Sequence, residues 1–180
     1  MLISSKKKIG ILGGSFDPPH KGHVEISRIS LKKIKLEKIY WIITKKNPFK
    51  KKSFFILSER ISKSKKIVNK YKKIQVLYLE NIVKSNRIIN IINYFKKTKN
   101  IKNLYLIIGS DNLLNFHKWT NWKKIVKLSN LVVFSRKGYE KKSKKSIVVN
   151  YLNKKNITFI DNKFIDISSS KIKKNFKKAK

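Results

Sequence analysis

The chain lacks cysteine altogether and has only three prolines and six glycines in 180 residues. Without cysteine it can form no disulfide framework, no thiolate metal site and no thiol nucleophile. No apolar run approaches the roughly 20 residues that a membrane-spanning helix needs. Residues 1–8 also lack the apolar segment of a secretory signal peptide. These absences predict a soluble cytoplasmic protein with no membrane partner.

Acidic residues are scarce as well, since nine Asp and Glu stand against 46 Lys and Arg, for a net charge of +37 at pH 7. Such an excess would suit a nucleic-acid-binding surface. Lysine, however, is spread over every segment, and isoleucine and asparagine, which also have A/T-rich codons, are abundant with it. Mutational bias of the genome is the simpler cause, so we expect no specific nucleic-acid partner. Polyanions would still bind, with a strong salt dependence.

Short β-rich runs alternate with helix-length segments along the chain. Continuous Ile, Leu and Val runs separated by helices are typical of a parallel sheet that is covered on both faces. We therefore predict a single α/β domain over residues 1–180, with a Rossmann-like, doubly wound parallel sheet. The predicted strands are Lys8–Leu12, Ile39–Ile43, Ile74–Leu79, Leu104–Ile108, Leu131–Phe134 and Ile157–Ile160. The predicted helices are Gly22–Leu36, Ser58–Tyr71 with Ser58 as N-cap, Asn86–Lys97 and Trp122–Leu128, and Gly138–Ser146 is expected to be a surface loop.

Three polar clusters come directly after predicted strands. They are Gly13–His23, Gly109–Asp111 and Ser135–Arg136. Ligands of such sheets bind at the carboxyl ends of the strands. The three clusters are therefore expected to converge on a single active cleft.

The first cluster, Gly13–His23, reads Gly-Gly-Ser-Phe-Asp-Pro-Pro-His-Lys-Gly-His. Its two histidines, His20 and His23, stand where a strand turns into a helix, and backbone N–H groups and the helix dipole at such a turn favour a phosphate. The spacing is neither that of a dinucleotide fingerprint nor that of a P-loop. Zinc is a competing ligand, but only His117 and no cysteine could complete a site, so we expect no protein-held metal. Asp17 is expected to shape the loop as an Asx-turn.

The chain resembles the nucleotidyltransferase superfamily at two motifs that occur in the right order. Gly13–His23 is similar to the first motif, G-x-F-D-P-x-H-x-G-H, and Ile167–Lys173 is similar to the second, I-S-S-T-x-I-R. Between these motifs the chain looks like the nicotinate mononucleotide adenylyltransferases in particular. The closer resemblance lies in Ile107–Leu114 with Trp119, in Asn47–Lys50 in the place of P-P-H-K, and in Leu131–Tyr139, so that it covers nearly the whole chain.

The resemblance implies an enzyme that transfers AMP from ATP to nicotinate mononucleotide and releases pyrophosphate. Its product is nicotinate adenine dinucleotide, a precursor of NAD. Mg²⁺ would arrive largely with the ATP phosphates, because this ion keeps several waters and needs few protein ligands. One alternative is another member of the superfamily, such as phosphopantetheine adenylyltransferase or a cytidylyltransferase, against which the segment from Gly109 to Trp119 argues. From a different class, the alternative is a basic nucleic-acid-binding protein. The sequence indicates no oligomeric state.

The same resemblance assigns roles to individual residues. His20, His23 and Lys173 would be catalytic and donate to phosphate oxygens, with Lys173 in the place of the motif's arginine. Trp119 would stack on the pyridine ring or be an ordinary packed tryptophan, and Arg87 would meet the nicotinate carboxylate or be a solvated residue at a helix start. The implied ATP-binding residues are Gly13, Ser15, Phe16, Arg136 (for a phosphate), Ser168, Ser169 and Ser170 (threonine in the motif). The implied substrate-binding residues are Asp111 (for a nucleotide hydroxyl), Trp119, Arg87 and Lys50.

Overall fold

The computed structural model describes residues 7–45 and 53–161, together with residues 169 and 172. Six strands form one sheet: β1 (Lys8–Gly14), β2 (Lys38–Ile43), β3 (Ile74–Leu77), β4 (Asn103–Gly109), β5 (Asn130–Phe134) and β6 (Ile157–Ile160). Their order, β3-β2-β1-β4-β5-β6, is typical of Rossmann-like sheets. The pairs β2–β3, β4–β5 and β5–β6 are parallel. The predicted α/β fold with a doubly wound parallel sheet is confirmed.

The described residues fall into two compact units. We call residues 12–45, 53–86, 169 and 172 the histidine unit, and residues 7–11 and 87–161 the aspartate unit, after the predicted site residues that each contains. That residues 1–180 form one domain stays a prediction. No helix in the described part of the chain is long and apolar enough to cross a membrane.

The histidine unit contains α1 (Lys21–Lys33), α2 (Leu57–Val68) and the short α3 (Glu80–Val83). Strand β2 is almost wholly apolar, and its consecutive residues Trp41, Ile42 and Ile43, which alternate between the two faces of the sheet, are all buried, as a strand covered on both faces requires. Helix α2 begins at Leu57, because the carboxylate of Glu59 accepts the N–H of Ile56 at 3.1 Å. Ser58 lies inside the helix, so its prediction as the N-cap is wrong.

The aspartate unit contains α4 (Ile88–Lys97), α5 (Ser110–Asn115), a 3-10 turn (Phe116–Lys118), α6 (Trp122–Leu128), α7 (Glu140–Lys144) and α8 (Ile147–Leu152). The prediction of a loop over Gly138–Ser146 is wrong in part, since α7 occupies its centre. Lysines surround the one fully buried side chain of α7, Ser143, whose hydroxyl donates to the carbonyl of Glu140 at 2.9 Å. A single inward residue leaves too weak a periodicity to predict a helix.

Candidate active site

The turn after β1 is built around a buried aromatic residue. Phe16 is 2% exposed, and its ring stacks on that of Trp41 with centroids 4.8 Å apart and planes 18° apart. Its φ of 46° lies in the left-handed region, which costs a residue other than glycine on the order of 1–3 kcal/mol. Ring packing offsets this cost. Because the side chain is buried, a contact of Phe16 with ATP, which stays a prediction, would be made by its backbone.

His20 and His23 form a pair at the start of α1. The N–H of His20 donates to Nδ1 of His23 at 3.2 Å, and the N–H of His23 donates to the carbonyl of His20 at 2.9 Å. The two rings lie 3.8 Å apart between centroids. Since a backbone N–H can only donate, Nδ1 of His23 is an acceptor and the proton of the neutral ring is on Nε2. The pairing thus leaves the ring proton of His23 on Nε2, and an N–H donor is the kind of group that a phosphate oxygen needs.

Trp41 and Ser27 support the first turn of α1 through two successive hydrogen bonds. The indole Nε1–H of Trp41 donates to Oγ of Ser27 at 2.8 Å, and this hydroxyl donates to the carbonyl of His23 at 2.8 Å. Both side chains are completely buried. Trp41 therefore supports Phe16 through its ring and His23 through its N–H. Sequence analysis missed it, although a tryptophan in a buried strand requires a partner for its N–H.

Asp17 is structural, but its partners differ from those expected. Its carboxylate is 1% exposed and accepts the N–H groups of Phe54 and Phe55, each at 2.9 Å. The Asp17–Pro18 peptide is cis. The carboxylate ties the turn to a segment more than 30 residues away in sequence, so its role reaches beyond a local Asx-turn.

The second motif contacts the first within the histidine unit. Oγ of Ser169 donates to the carbonyl of Pro18 at 2.9 Å. In this arrangement the single proton of the hydroxyl is used by the Pro18 carbonyl, and the role of Ser169 in binding ATP stays a prediction. The other predicted residues of the second motif, Ser168, Ser170 and Lys173, lie outside the described residues, and so does Lys50.

In the aspartate unit, the second polar cluster, Gly109–Asp111, contacts the third, Ser135–Arg136. Nη1 of Arg136 pairs with Oδ2 of Asp111 at 2.8 Å, and the N–H of Arg136 donates to Oγ of Ser110 at 2.8 Å. A Cβ on Gly109 would lie 2.3 Å from Oδ1 of Asp111, so a larger residue here would displace this carboxylate from its observed position. That the Gly13–His23 cluster converges with these two stays a prediction.

One oxygen of Asp111 is buried and has no hydrogen-bond partner among the described residues. This atom is Oδ1, whereas Oδ2 is bound by Arg136. A buried acceptor without a donor costs free energy, and a hydroxyl from a ligand would remove that cost. The geometry therefore supports the predicted contact of Asp111 with a nucleotide hydroxyl.

Trp119 and Arg87 are the remaining predicted substrate contacts. The Trp119 ring stacks on that of the buried Phe116, with centroids 4.6 Å apart and planes 27° apart. A ligand ring can stack only on the opposite face of the indole. Arg87 is exposed and directly precedes α4, so both interpretations of this residue stay open.

Comparisons with known proteins give the family. Residues 11–175 match the family model described as cytidylyltransferase-like. The chain is 50% identical over 173 residues to the "Probable nicotinate-nucleotide adenylyltransferase" of Pelagibacter ubique (strain HTCC1062), covering 96% of each chain. It is 32% identical over 177 residues to the protein of the same name from Endomicrobium trichonymphae, covering 96% of this chain and 89% of that one.

A solved structure supports the fold. It is that of Plasmodium falciparum nicotinic acid mononucleotide adenylyltransferase complexed with NaAD, at a TM-score of 0.74 and 23% identity. The match covers 93% of this chain and 83% of the other.

Proposed function

The chain belongs to the nicotinate-nucleotide adenylyltransferases within the cytidylyltransferase-like family, and we propose that it transfers AMP from ATP to nicotinate mononucleotide. The products are nicotinate adenine dinucleotide, which is a precursor of NAD, and pyrophosphate. The observation that supports the mechanism is the His20–His23 pair at the start of α1, in which Nδ1 of His23 accepts the N–H of His20 and the ring proton of His23 is therefore on Nε2. The family model spans residues 11–175, which supports one adenylyltransferase domain over residues 1–180.

The reaction needs positioned donors and no general base. A phosphate oxygen of nicotinate mononucleotide forms a bond to the α-phosphorus of ATP, and the bond from that phosphorus to the oxygen bridging to the β-phosphate breaks. The attacking oxygen is already anionic, and the electron pair leaves with pyrophosphate. Catalysis then consists of holding the phosphates in line and stabilising the charge that moves onto the leaving group. His20, His23 and Lys173 supply donors for that charge.

ATP binding follows from the turn after β1 and from the second motif. Gly13, Ser15 and Phe16 offer backbone groups at the end of β1, and the N–H groups at the start of α1 favour phosphate. Ser168, Ser169 and Ser170 belong to the same proposal through the motif that they match.

Mg²⁺ enters as part of the ATP substrate and offsets the charge of the triphosphate. Both carboxylate oxygens of Asp17, the acidic residue of the first motif, accept backbone N–H groups. In residues 7–45 and 53–161, no three His, Asp or Glu side chains are grouped as metal ligands. These side chains fit an ion that is held chiefly by ATP phosphates and water, because Mg²⁺ needs few protein ligands. We also propose a cytoplasmic location, where ATP is supplied.

The acceptor would be held by Asp111, Trp119 and Arg87 of the aspartate unit, together with Lys50. Oδ1 of Asp111 accepts a nucleotide hydroxyl, and Arg136, proposed to bind a phosphate of ATP, also holds Asp111 in place. Trp119 stacks on the pyridine ring with the face that Phe116 leaves uncovered. Lys50 and Arg87 are the proposed cations for the phosphate and carboxylate groups of the acceptor.

An acceptor panel tests the proposal. Pyrophosphate release is measured with MgATP and, in turn, nicotinate mononucleotide, nicotinamide mononucleotide and phosphopantetheine, and then with CTP in place of ATP. We expect the highest kcat/KM for ATP with nicotinate mononucleotide. Reaction with phosphopantetheine, or with CTP, in the absence of reaction with nicotinate mononucleotide would contradict the proposal.

A further inference from the structure

Arg60, in the first turn of α2, is a buried cation that the proposed mechanism does not use. Its side chain is 1% exposed. Its guanidinium donates to four backbone carbonyls: Nε to Phe55 at 3.1 Å, Nη1 to Ser15 at 2.7 Å and to Thr44 at 2.8 Å, and Nη2 to Lys45 at 2.8 Å. The carbonyl of Ser15 belongs to the turn after β1. Those of Thr44 and Lys45 directly follow β2, and that of Phe55 precedes α2. One side chain thus joins three segments of the histidine unit.

Only arginine can make this set of bonds. Four of the five N–H donors of a guanidinium are used, and they leave the group in fixed directions within one plane. A lysine offers three donors from a single point. Burial lowers the pKa of Arg60, whereas the nearby negative groups Asp17 and Glu80 act in the opposite direction. A buried charge held by four carbonyls and faced by two carboxylates is satisfied rather than stranded.

The two carboxylates bind the N–H groups of the same peptide segments. Asp17 accepts the N–H of Phe55 at 2.9 Å, and Glu80 accepts the N–H of Lys45 at 3.0 Å and the hydroxyl of Thr44. Phe55 and Lys45 are therefore each held at both polar groups, with the N–H on a carboxylate and the C=O on Arg60. This arrangement fixes the backbone at Lys45 and Phe55 as well as the turn after β1.

The bond to Ser15 connects Arg60 to the histidine pair. The carbonyl of Ser15 lies in the peptide plane that it shares with the N–H of Phe16, so the orientation of this plane sets φ of Phe16. That φ is 46°, a conformation that persists only where its surroundings enforce it. The Phe16 ring in turn packs on that of His23, with centroids 4.8 Å apart.

We propose that Arg60 is a positioning residue for adenylyl transfer, which acts by holding the Ser15 carbonyl so that Phe16 and the His20–His23 pair keep the geometry that presents donors to phosphate. It touches neither substrate. The inference rests on the proposed function, since the kinetic part of its test uses that reaction.

The kinetic test compares Arg60→Lys with Arg28→Lys. Arg28 lies on α1 in the same unit, is exposed and pairs only with Glu25 among the contacts described, so it controls for the loss of a guanidinium. At a temperature where both variants are folded, we expect Arg60→Lys to lower kcat by about 10- to 100-fold. The KM for nicotinate mononucleotide should change by less than about threefold, because the variant misplaces donors rather than removing a substrate contact. Arg28→Lys should match the unchanged protein.

A second readout needs no substrate. In protein labelled with ¹⁵N-histidine, we expect the ¹⁵N signals of His23 to show an unprotonated Nδ1 and a protonated Nε2, and Arg60→Lys to shift them. If the unchanged protein has no activity towards nicotinate mononucleotide, the proposed function is overturned. The ¹⁵N spectrum would still show whether Arg60 affects His23, because it needs no substrate.

If Arg60 contributes only to the stability of the fold, the kinetic and ¹⁵N measurements should give a different pattern. Arg60→Lys would then have a lower Tm, but its kcat below that temperature and its His23 signals would equal those of the unchanged protein, and this outcome overturns the proposal. Should Arg60→Lys fail to fold, Arg60→Gln provides the same test, because it removes the guanidinium that holds the Ser15 carbonyl but keeps a neutral polar side chain at this buried position. A lower kcat with shifted His23 signals supports the proposal, and unchanged values of both overturn it.

Discussion

The two units hold the residues of the candidate site in different ways. In the histidine unit, His20 is 8% exposed, and Asp17 and Arg60, which hold the backbone of the turn after β1, are each 1% exposed. In the aspartate unit, Arg136 keeps 59% of its side chain exposed and pairs with Asp111, whose second oxygen has no hydrogen-bond partner among the described residues. Buried, preorganised donors suit charge that develops only in the transition state, because they need no rearrangement at that moment. Exposed groups suit the binding of substrate.

Replacing a histidine of the motif should have the largest effect. We expect His20→Ala to lower kcat by about 100- to 1,000-fold, the usual cost of losing one donor to developing charge. The KM for either substrate should change far less. Steady-state pyrophosphate release measures both constants, and circular dichroism with Tm shows whether the fold is kept. A folded His20→Ala variant with the original kcat would remove His20 from the mechanism and erase the contrast between the units.

The local part of the histidine unit could be predicted from the sequence. Gly13–His23 is contiguous, so its strand-to-helix turn and its histidine spacing follow from neighbouring residues, whereas the backbone partners of Asp17 lie in a distant segment of the chain. The partners that fix it could not be predicted. Arg60 lies 45 residues from Ser15, and Ser169 lies 151 residues from Pro18. On a lysine-rich helix, an arginine looks like one more solvated charge until tertiary packing buries it.

The aspartate unit shows the same limit on a smaller scale. Asp111 was predicted to bind a nucleotide hydroxyl and Arg136 a phosphate of ATP, and each follows a strand of the sheet. Their ion pair was not predicted, because a separation of 25 positions along the chain sets no distance in space. The parallel pairing of β4 with β5, which matches Gly109 with Phe134, brings the ends of the two strands together. Register, which composition does not specify, therefore decides the pairing.

Asp111→Asn should have the second largest effect, and on KM rather than on kcat. The amide keeps the shape of the side chain but replaces a charged acceptor, whose hydrogen bond contributes roughly 1.5–3 kcal/mol. We expect the KM for the nucleotide that it holds to rise about 10-fold or more. Because the ion pair with Arg136 is exposed, the free energy of unfolding should fall by less than about 1 kcal/mol. A fall in kcat with an unchanged KM would place Asp111 with the histidines instead.

Truncating Trp119 tests whether the aspartate unit binds the acceptor ring. We expect Trp119→Ala to raise the KM for nicotinate mononucleotide about fivefold or more, since stacking on an aromatic residue contributes roughly 1–3 kcal/mol per base. Trp119→Phe should restore most of the affinity. Trp122 is the matched control, because its ring meets that of Tyr151 edge-on at 5.0 Å and has no role in the proposed site. An equal rise in KM for Trp122→Ala and Trp119→Ala would indicate a packing effect.

The smallest effect is expected at Lys173, where the chain departs from the arginine of the second motif. Arginine keeps the positive charge and adds a planar fork that can bind phosphate through two hydrogen bonds. We therefore expect Lys173→Arg to retain or raise kcat/KM for ATP, and Lys72→Arg, at an exposed position in the histidine unit, to leave it unchanged. A large fall in kcat/KM for Lys173→Arg alone would show that this position requires the compact ammonium group for something other than phosphate. The histidine pair would then supply the donors to the transition state without Lys173.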